Sequence, residues 1–380
     1  MEDWAYYLAT IVLEILGVLL VLISLLYVCT FIPSKDASLQ QIESDGGRAV
    51  VLSCGRTVEY FIYGLPIEQV DATTPVLIIM HGYTLSGSAN SSWHDICALR
   101  KVCVISPSLA GWGGSTPLRG RTYEDAAKDV CAILHHHQLI NHPNFHIMGI
   151  SFGSGNAAAL AIYLMHLSAE KLISNPSLSY RYQQMDDDIT IPNPNPNPNP
   201  HTPTRVKSLS LIVPAWPCMP GHDFWKESPF MVWLTGRPIM DRIWQYYIAP
   251  KLDIPKLLKS LVPKDWEEFE RNNPKAVEGM TRELKRSTKY HLEGACDGMR
   301  LLREGGGAIY QQRDRLKRLL ADRGAMSVWY AVNDTLAPPN GGKFICSQLV
   351  PGAKAFPQNG GHLNMFNDLA PFLDEALSNK

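Results

Sequence analysis

The residues best suited to chemistry form the string Gly-Ile-Ser-Phe-Gly at positions 149–153. This string directly follows an apolar run of strand length, residues 145–148, and directly precedes an alanine-rich helical stretch, residues 156–165. A serine on a sharp turn between a strand and a helix exposes its hydroxyl, and flanking glycines let the strand and the helix approach closely. This context predicts that Ser151 is a nucleophile.

A serine hydroxyl needs a base to accept its proton, and the base needs an acid that fixes its tautomer. Asp334 follows the predicted strand 327–332, and His362 follows the short predicted strand 353–356. The chain order serine, aspartate, histidine is expected when each residue lies on a loop at the carboxyl edge of one parallel sheet. We therefore expect Ser151, His362 and Asp334 to act as nucleophile, base and acid.

Other polar residues are weaker candidates. Asp223, which follows the predicted strand 206–213, is the alternative acid. The three histidines at 135–137 lie at a helix end, where consecutive side chains point in different directions, and this disfavours a shared metal ion. His81 ends a strand and is expected to be structural. No metal or organic cofactor is predicted.

An acyl transfer also needs hydrogen-bond donors for the negative oxygen of its tetrahedral intermediate. In the arrangement above, one donor is the backbone N–H of the residue after the nucleophile, Phe152. The second comes from the loop after an earlier strand, here the His-Gly-Tyr sequence at 81–83 that follows the predicted strand 76–80. Tyr83 is the expected donor.

These candidates require a sheet that brings several strand ends together. Apolar runs bounded by loops predict eight strands, at 48–53, 56–63, 76–80, 102–105, 145–148, 206–213, 327–332 and 353–356. Continuous apolar runs are typical of strands buried on both faces of a mostly parallel sheet. Residues 123–139, with Thr122 as the N-cap, have helical spacing and supply a crossover helix. The predicted fold class is α/β.

Two long segments interrupt this pattern. Residues 174–204 hold an aspartate run and an Asn-Pro repeat, which predict a disordered surface insert because alternating proline forbids a helix. Residues 216–323 hold five of the nine tryptophans and predict an inserted helical cap. These aromatic residues either line an apolar substrate pocket or form a small core under the cap. The predicted sheet domain then consists of residues 47–173, 205–215 and 324–380.

The N-terminal segment is strongly apolar between residues 6 and 32, where Glu14 is the only charged residue. The run exceeds the roughly 20 residues that a membrane-spanning helix needs, so a single-pass anchor within residues 1–35 is predicted. A cleaved signal peptide and a buried core helix are the alternatives. Lys35 and Arg48 follow the run and none precedes it, which places the catalytic domain on the cytoplasmic side of a membrane.

Composition excludes some functions. The chain has 380 residues with 35 basic and 36 acidic side chains, so no global positive charge favours nucleic-acid binding. The eight cysteines are scattered without zinc-ligand spacing and fit free thiols in a reducing compartment.

Five local features together resemble the α/β-hydrolase superfamily. They are the His-Gly-Tyr sequence, the loop at 108–115, the serine turn, the Asp334 loop with Pro338, and the Gly-His pair at 361–362. The resemblance covers about residues 48–378 outside the insert. It implies an eight-stranded, mostly parallel sheet with flanking helices and a cap after the sixth strand. It also implies a serine hydrolase that uses the triad and the two oxyanion donors named above.

Two details refine this resemblance. Ser108 stands where many relatives carry aspartate, so the geometry of that loop is in question. Serine at position 151 argues against epoxide hydrolases and haloalkane dehalogenases, which carry aspartate there. The function expected is a membrane-anchored serine hydrolase that cleaves a carboxylic ester with a lipid-like or otherwise apolar acyl group. An acyltransferase, a C–C bond hydrolase and a non-catalytic small-molecule receptor are the alternatives, and the oligomeric state stays open.

Overall fold

A computed structural model describes residues 12–21, 23–24, 36–169, 205–215, 251, 253, 256, 259–260, 262–291, 293–304 and 310–378. The predicted Asn-Pro insert, the alternative acid Asp223 and residues 216–250 of the predicted cap lie outside the described residues.

Eight strands form a single sheet. They are β1 (Arg48–Val51), β2 (Thr57–Gly64), β3 (Val76–Met80), β4 (Cys103–Pro107), β5 (Phe145–Ile150), β6 (Val206–Ile212), β7 (Met326–Ala331) and β8 (Lys354–Gln358). Their order across the sheet is β1-β2-β4-β3-β5-β6-β7-β8. The pairs β1–β2 and β2–β4 are antiparallel, and all other neighbours are parallel. The predicted eight-stranded, mostly parallel sheet is therefore confirmed.

The central strands are apolar because helices cover both faces of the sheet. Every residue of β3, β4, β5 and β7 is buried. The edge strands β1 and β8 contain only half-buried and exposed residues, which alternate along β8. Continuous apolar sequence thus corresponds to strands at the centre of the sheet. Ser151 and Asp334 follow the ends of two of these strands.

Ten α-helices with defined bounds lie in the described residues between 36 and 378. They are α1 (Leu39–Ser44), α2 (His94–Leu99), α3 (Tyr123–His136), α4 (Gly153–Ala169), α5 (Pro263–Asn272), α6 (Pro274–Ser287), α7 (Glu293–Glu304), α8 (Arg313–Leu316), α9 (Pro339–Phe344) and α10 (Ala370–Ser378). Helix α3 begins as predicted at Thr122, whose side chain accepts a hydrogen bond from the Asp125 N–H. The Asp125 carboxylate in turn accepts one from the Thr122 N–H, which completes a capping box.

Helices α5, α6 and α7 lie between β6 and β7 in the sequence, in the segment predicted to be a helical cap. Both α5 and α6 begin with proline, which is suited to the first helical turn because its missing N–H would have no intrahelical partner. Buried Trp266 and Phe269 lie on one side of α5. Helix α5 therefore presents an apolar face that packs against another part of the protein.

The predicted membrane anchor is wrong. Residues 12–21 and 23–24 are helical, and the rest of the first 35 residues lies outside the described part of the chain. Within the described ranges, no helix is both long enough and apolar enough to cross a membrane. Glu14 lies inside the described helical residues, and a carboxylate is costly in the apolar interior of a membrane. The predicted single-pass location with a cytoplasmic catalytic domain depended on this anchor and is withdrawn with it.

Candidate active site

Ser151 lies on the turn between β5 and α4. Its backbone φ is 51°, a left-handed value that is strained for any residue except glycine. Neighbouring backbone groups hold this conformation: the Ser151 N–H donates to the Ile212 carbonyl at 2.8 Å, and the Ser151 carbonyl accepts from the Ala215 N–H at 3.1 Å. The side chain is half-buried. Ser151 thus has the strained backbone of a sharp turn between a strand and a helix, as its sequence context predicts.

The two glycines of this turn are required by close approaches. A Cβ atom at Gly153 would lie 2.1 Å from the Met80 carbonyl oxygen, and one at Gly149 would lie 2.7 Å from the Ala157 Cβ atom. These spacings are far inside van der Waals contact. Glycine therefore allows α4 to begin directly against the end of β3.

Asp334 and His362 form a buried pair. His362 Nδ1 donates a hydrogen bond to Asp334 Oδ2 at 2.7 Å. The other carboxylate oxygen, Oδ1, accepts hydrogen bonds from the Leu336 and Ala337 N–H groups, both at 2.8 Å. Both carboxylate oxygens of Asp334 thus accept hydrogen bonds, and the neutral imidazole carries its proton on Nδ1, which leaves Nε2 as the nitrogen that can accept a proton.

The environment of His362 favours its protonated form. Burial opposes protonation, but attraction to the Asp334 carboxylate, with a smaller contribution from Asp265, outweighs burial and raises the pKa of His362 above its ordinary value. A base with a raised pKa accepts a proton more readily once it is neutral.

Ser151, Asp334 and His362 follow β5, β7 and β8, so all three lie at the carboxyl edge of the sheet. Asp334 and His362 are in direct contact. The described Ser151 and His362 side chains do not hydrogen-bond to each other. Catalytic hydrogen bonds are often long without substrate and shorten when it binds, so this geometry is compatible with a serine and histidine that act together.

The two expected oxyanion donors lie beside the turn. A Cβ atom at Gly82 would lie 3.6 Å from the Ser151 Cβ atom, so the loop that carries Tyr83 runs directly past Ser151. Phe152 is fully buried, and its ring makes an edge-to-face contact with the Tyr83 ring, with centroids 6.0 Å apart. The two backbone segments therefore lie next to each other at the candidate nucleophile.

His81 holds this loop rather than acting as a base. Its Nε2 accepts a hydrogen bond from the Leu109 N–H at 3.0 Å, so Nδ1 carries the proton and donates to the Gly82 carbonyl at 2.8 Å. Burial lowers the pKa of His81 to about 4. A neutral imidazole with both nitrogens engaged is structural, as expected from the sequence.

The sequence model of the Alpha/beta hydrolase family matches residues 76–337, which is more than half of the chain. The chain belongs to the alpha/beta hydrolase family. No curated protein sequence shows a significant match to this hydrolase.

Solved structures have the same fold at low sequence identity. An esterase from Exiguobacterium antarcticum has a TM-score of 0.55 at 14% identity, and the alignment covers 87% of this chain and 98% of that chain. An enol-lactonase from Burkholderia xenovorans LB400 has a TM-score of 0.54 at 14% identity, with the same coverage. A hydrolase from Pseudomonas aeruginosa PA01 has a TM-score of 0.52 at 16% identity, covering 87% and 97%. At these identities the likeness concerns the fold alone.

The structure explains why this hydrolase has serine at position 108. Ser108 Oγ donates to Glu59 Oε2 at 2.6 Å and accepts from the Gly87 N–H at 2.9 Å. Glu59 is completely buried and forms an ion pair with Arg286 of α6. An aspartate at 108 would face the Glu59 carboxylate, and two buried like charges in contact are costly. Serine therefore donates a hydrogen bond to the buried Glu59 carboxylate without adding a second negative charge. Through its ion pair with Arg286, Glu59 links the sheet to the cap segment.

Sequence patterns did not reveal this pair, because Glu59 and Arg286 are 227 residues apart and lie in unremarkable contexts. The signal available was weak: Glu59 is a lone charge inside an apolar strand sequence. Buried charges in such strands need a partner, but the sequence does not identify it.

Arg121 is a second residue that the sequence analysis missed. It is 2% exposed, and among the described residues none of its three guanidinium nitrogens has a hydrogen-bond partner. Its guanidinium lies 5.7 Å from the centre of the Phe152 ring. Burial lowers the pKa of Arg121, against the attraction of nearby Asp297. The interior of the hydrolase beside the serine turn thus holds a poorly compensated positive charge.

Proposed function

We propose that this hydrolase cleaves carboxylic esters by a two-step mechanism in which Ser151 is the nucleophile, His362 the base and Asp334 the acid that orients it. The observation that carries the proposal is the 2.7 Å hydrogen bond between His362 Nδ1 and Asp334 Oδ2 at the sheet edge where Ser151 occupies its strained turn. A structural histidine needs no such buried carboxylate, whereas a catalytic base does.

In the first step, Ser151 Oγ attacks the ester carbonyl carbon while His362 Nε2 accepts the hydroxyl proton. The tetrahedral intermediate collapses as His362 returns that proton to the leaving alcohol, and an acyl-serine ester remains. In the second step, His362 takes a proton from water as the water attacks the acyl-enzyme, and it returns that proton to Ser151 Oγ as the carboxylic acid leaves. Asp334 stays ionised and stabilises the imidazolium in both steps.

The backbone N–H groups of Phe152 and Tyr83 stabilise the negative oxygen in this proposal. Their support is the contact between the Tyr83 loop and Ser151 and the edge-to-face packing of the two rings. Fixed backbone donors stabilise charge that develops in the transition state without a cost of reorganisation, typically by about 3 kcal/mol per donor.

The proposed substrate is an ester with an apolar acyl group. Tyr83, Phe152 and Trp112 form a continuous aromatic cluster beside the serine turn, with Tyr83 and Trp112 ring centroids 5.5 Å apart. The Tyr83 hydroxyl donates to the Ala295 carbonyl of α7 at 2.9 Å, which holds the cap segment against this cluster. Aromatic side chains beside a reacting group favour apolar substrates.

The test is hydrolysis of p-nitrophenyl esters of increasing acyl length by the full chain and by Ser151→Ala and His362→Ala. We expect kcat/KM to fall at least about 10³-fold in both variants and to be higher for medium acyl chains than for acetate in the wild type. His136→Gln, an exposed residue at the end of α3, is the matched control and should keep full activity. A folded wild type with no turnover of any ester, or an active Ser151→Ala variant, would contradict the proposal.

A further inference from the structure

Helix α5 and the residue before it pack on the loop that carries His362. Val262, Trp266 and Phe269 form a small apolar cluster with Leu363, the residue that follows His362. All four are less than 10% exposed. The cap segment thus contacts the catalytic loop directly and not only the sheet beneath it.

Asp265 of α5 lies inside this contact. Its Oδ2 atom accepts a hydrogen bond from the Leu363 N–H at 2.8 Å. A Cβ atom at Gly361 would lie 2.5 Å from the Asp265 Cγ atom, so only glycine before His362 leaves room for this carboxylate. Asp265 therefore contacts the backbone on both sides of His362.

The charges in this region are two carboxylates around one imidazole. Asp334 faces His362 from the loop after β7, and Asp265 faces it from α5; these are the charged groups of the described residues that act on it. Burial raises the pKa of Asp265, whereas the Leu363 hydrogen bond and the positive charge on His362 favour its ionised form. The two carboxylates therefore both stabilise the imidazolium.

We propose that Asp265 is a positioning residue for His362: it fixes the His362 loop from the cap and places a second negative charge beside the imidazole. The proposal rests on the function proposed above, in which His362 is the base. Through Asp265, the cap segment of this hydrolase then contributes to proton transfer.

The test separates the charge of Asp265 from its hydrogen bond. Asp265→Asn keeps an oxygen acceptor for the Leu363 N–H but removes the charge, and Asp265→Ala removes both. The first readout is the pH dependence of kcat and kcat/KM for an ester. The second is the titration of the His362 ring followed by NMR, which does not depend on turnover.

For Asp265→Asn we expect the acid limb of kcat/KM and the His362 titration to move together to lower pH. The ratio of kcat/KM at pH 5.5 to that at pH 8 should rise by about threefold, the effect of removing one partly screened charge. For Asp265→Ala we expect the same movement and a further loss in kcat of about tenfold with little change in KM, because the loop loses a hydrogen bond. If Asp265→Ala does not fold, Asp265→Asn still decides the question.

Glu267→Gln is the matched control, since Glu267 lies on the same helix, is exposed, and faces Lys259 at 3.6 Å. Its acid limb and kcat should equal those of the wild type. Asp265 variants that leave the acid limb, the His362 titration and kcat unchanged would overturn the inference. If Ser151→Ala remains active, the proposed function fails instead, and the NMR titration still reports whether Asp265 acts on His362.

Discussion

Replacement of Asp334 by asparagine should disable His362 without altering the shape of the site. The Asp334 Oδ1 atom accepts two backbone hydrogen bonds at 2.8 Å, from Leu336 and Ala337. In Asp334→Asn these two donors require the amide oxygen at that place, so the amide NH₂ group faces His362 Nδ1. That nitrogen must then accept a hydrogen bond, and the ring proton moves to Nε2. An imidazole protonated at Nε2 cannot take the proton from Ser151.

The magnitude follows from the cost of restoring the productive tautomer. Rotating the amide would aim its NH₂ group at two backbone N–H groups and leave both without an acceptor, at about 1 to 3 kcal/mol each. The total of about 2 to 6 kcal/mol corresponds to a loss between roughly 30-fold and 10⁴-fold in kcat/KM. Ester hydrolysis by the purified full chain measures this loss, and circular dichroism confirms that the variant is folded.

Asp314→Asn is the control for this experiment, because the Asp314 side chain is 82% exposed and faces Arg313 at 3.8 Å. It should retain wild-type kcat/KM. A folded Asp334→Asn variant with activity within about threefold of the wild type would refute the assignment of Asp334 as the acid.

Three further predictions follow from single contacts. Attraction to carboxylates raises the pKa of His362, and only neutral His362 can accept a proton. We therefore expect kcat/KM to be lost as pH falls through a midpoint above 6.5. A midpoint below 6 would contradict this account. Arg121→Met should leave the free energy of unfolding, measured by urea denaturation, unchanged or raise it by up to about 2 kcal/mol, because it removes a buried charge without hydrogen-bond partners among the described residues. Arg56→Met should instead lower the free energy of unfolding by about 3 kcal/mol, because it leaves buried Asp129 without its 2.6 Å partner. Equal losses in the free energy of unfolding for Arg121→Met and Arg56→Met would contradict this prediction. Gly153→Ala should lower the melting temperature strongly, because the new Cβ atom clashes with the backbone and destabilises the fold by about 2 kcal/mol or more. Gly279→Ala in helix α6, where no atom lies within 4 Å of the new Cβ, should raise the melting temperature slightly. The opposite order of melting temperatures would refute the argument from close approach.

The sequence was sufficient for the sheet and for the neighbourhood of the candidate site. Apolar runs place all eight strands, with ends that differ from the structure by a few residues at most, as for β7, which begins one residue before the predicted strand. The contact between Asp334 and His362 was predicted because both residues follow parallel strands, whose carboxyl ends share one edge of the sheet. The pattern of apolar residues and the order of the strands are visible in the sequence itself, so these features can be predicted without knowledge of the fold.

Contacts between the cap segment and the core could not be predicted in this way. Asp265 and Glu267 are both acidic residues near the start of one amphipathic helix, and only the docking of α5 on the Leu363 loop distinguishes them. The ion pair between Glu59 and Arg286 likewise depends on how α6 lies against β2. The predicted membrane anchor is the prediction that the structure contradicts: among the described residues no helix is long and apolar enough to cross a membrane.

The central claim, that Ser151 is the nucleophile of an acyl-enzyme, is tested most directly by mass spectrometry of the full chain after reaction with a fluorophosphonate. The account predicts one added phosphonyl group, located by peptide mapping on Ser151, at a rate that falls strongly in His362→Ala and with no labelling in Ser151→Ala. A label on a different serine, or equal labelling of the wild type and Ser151→Ala, would contradict it.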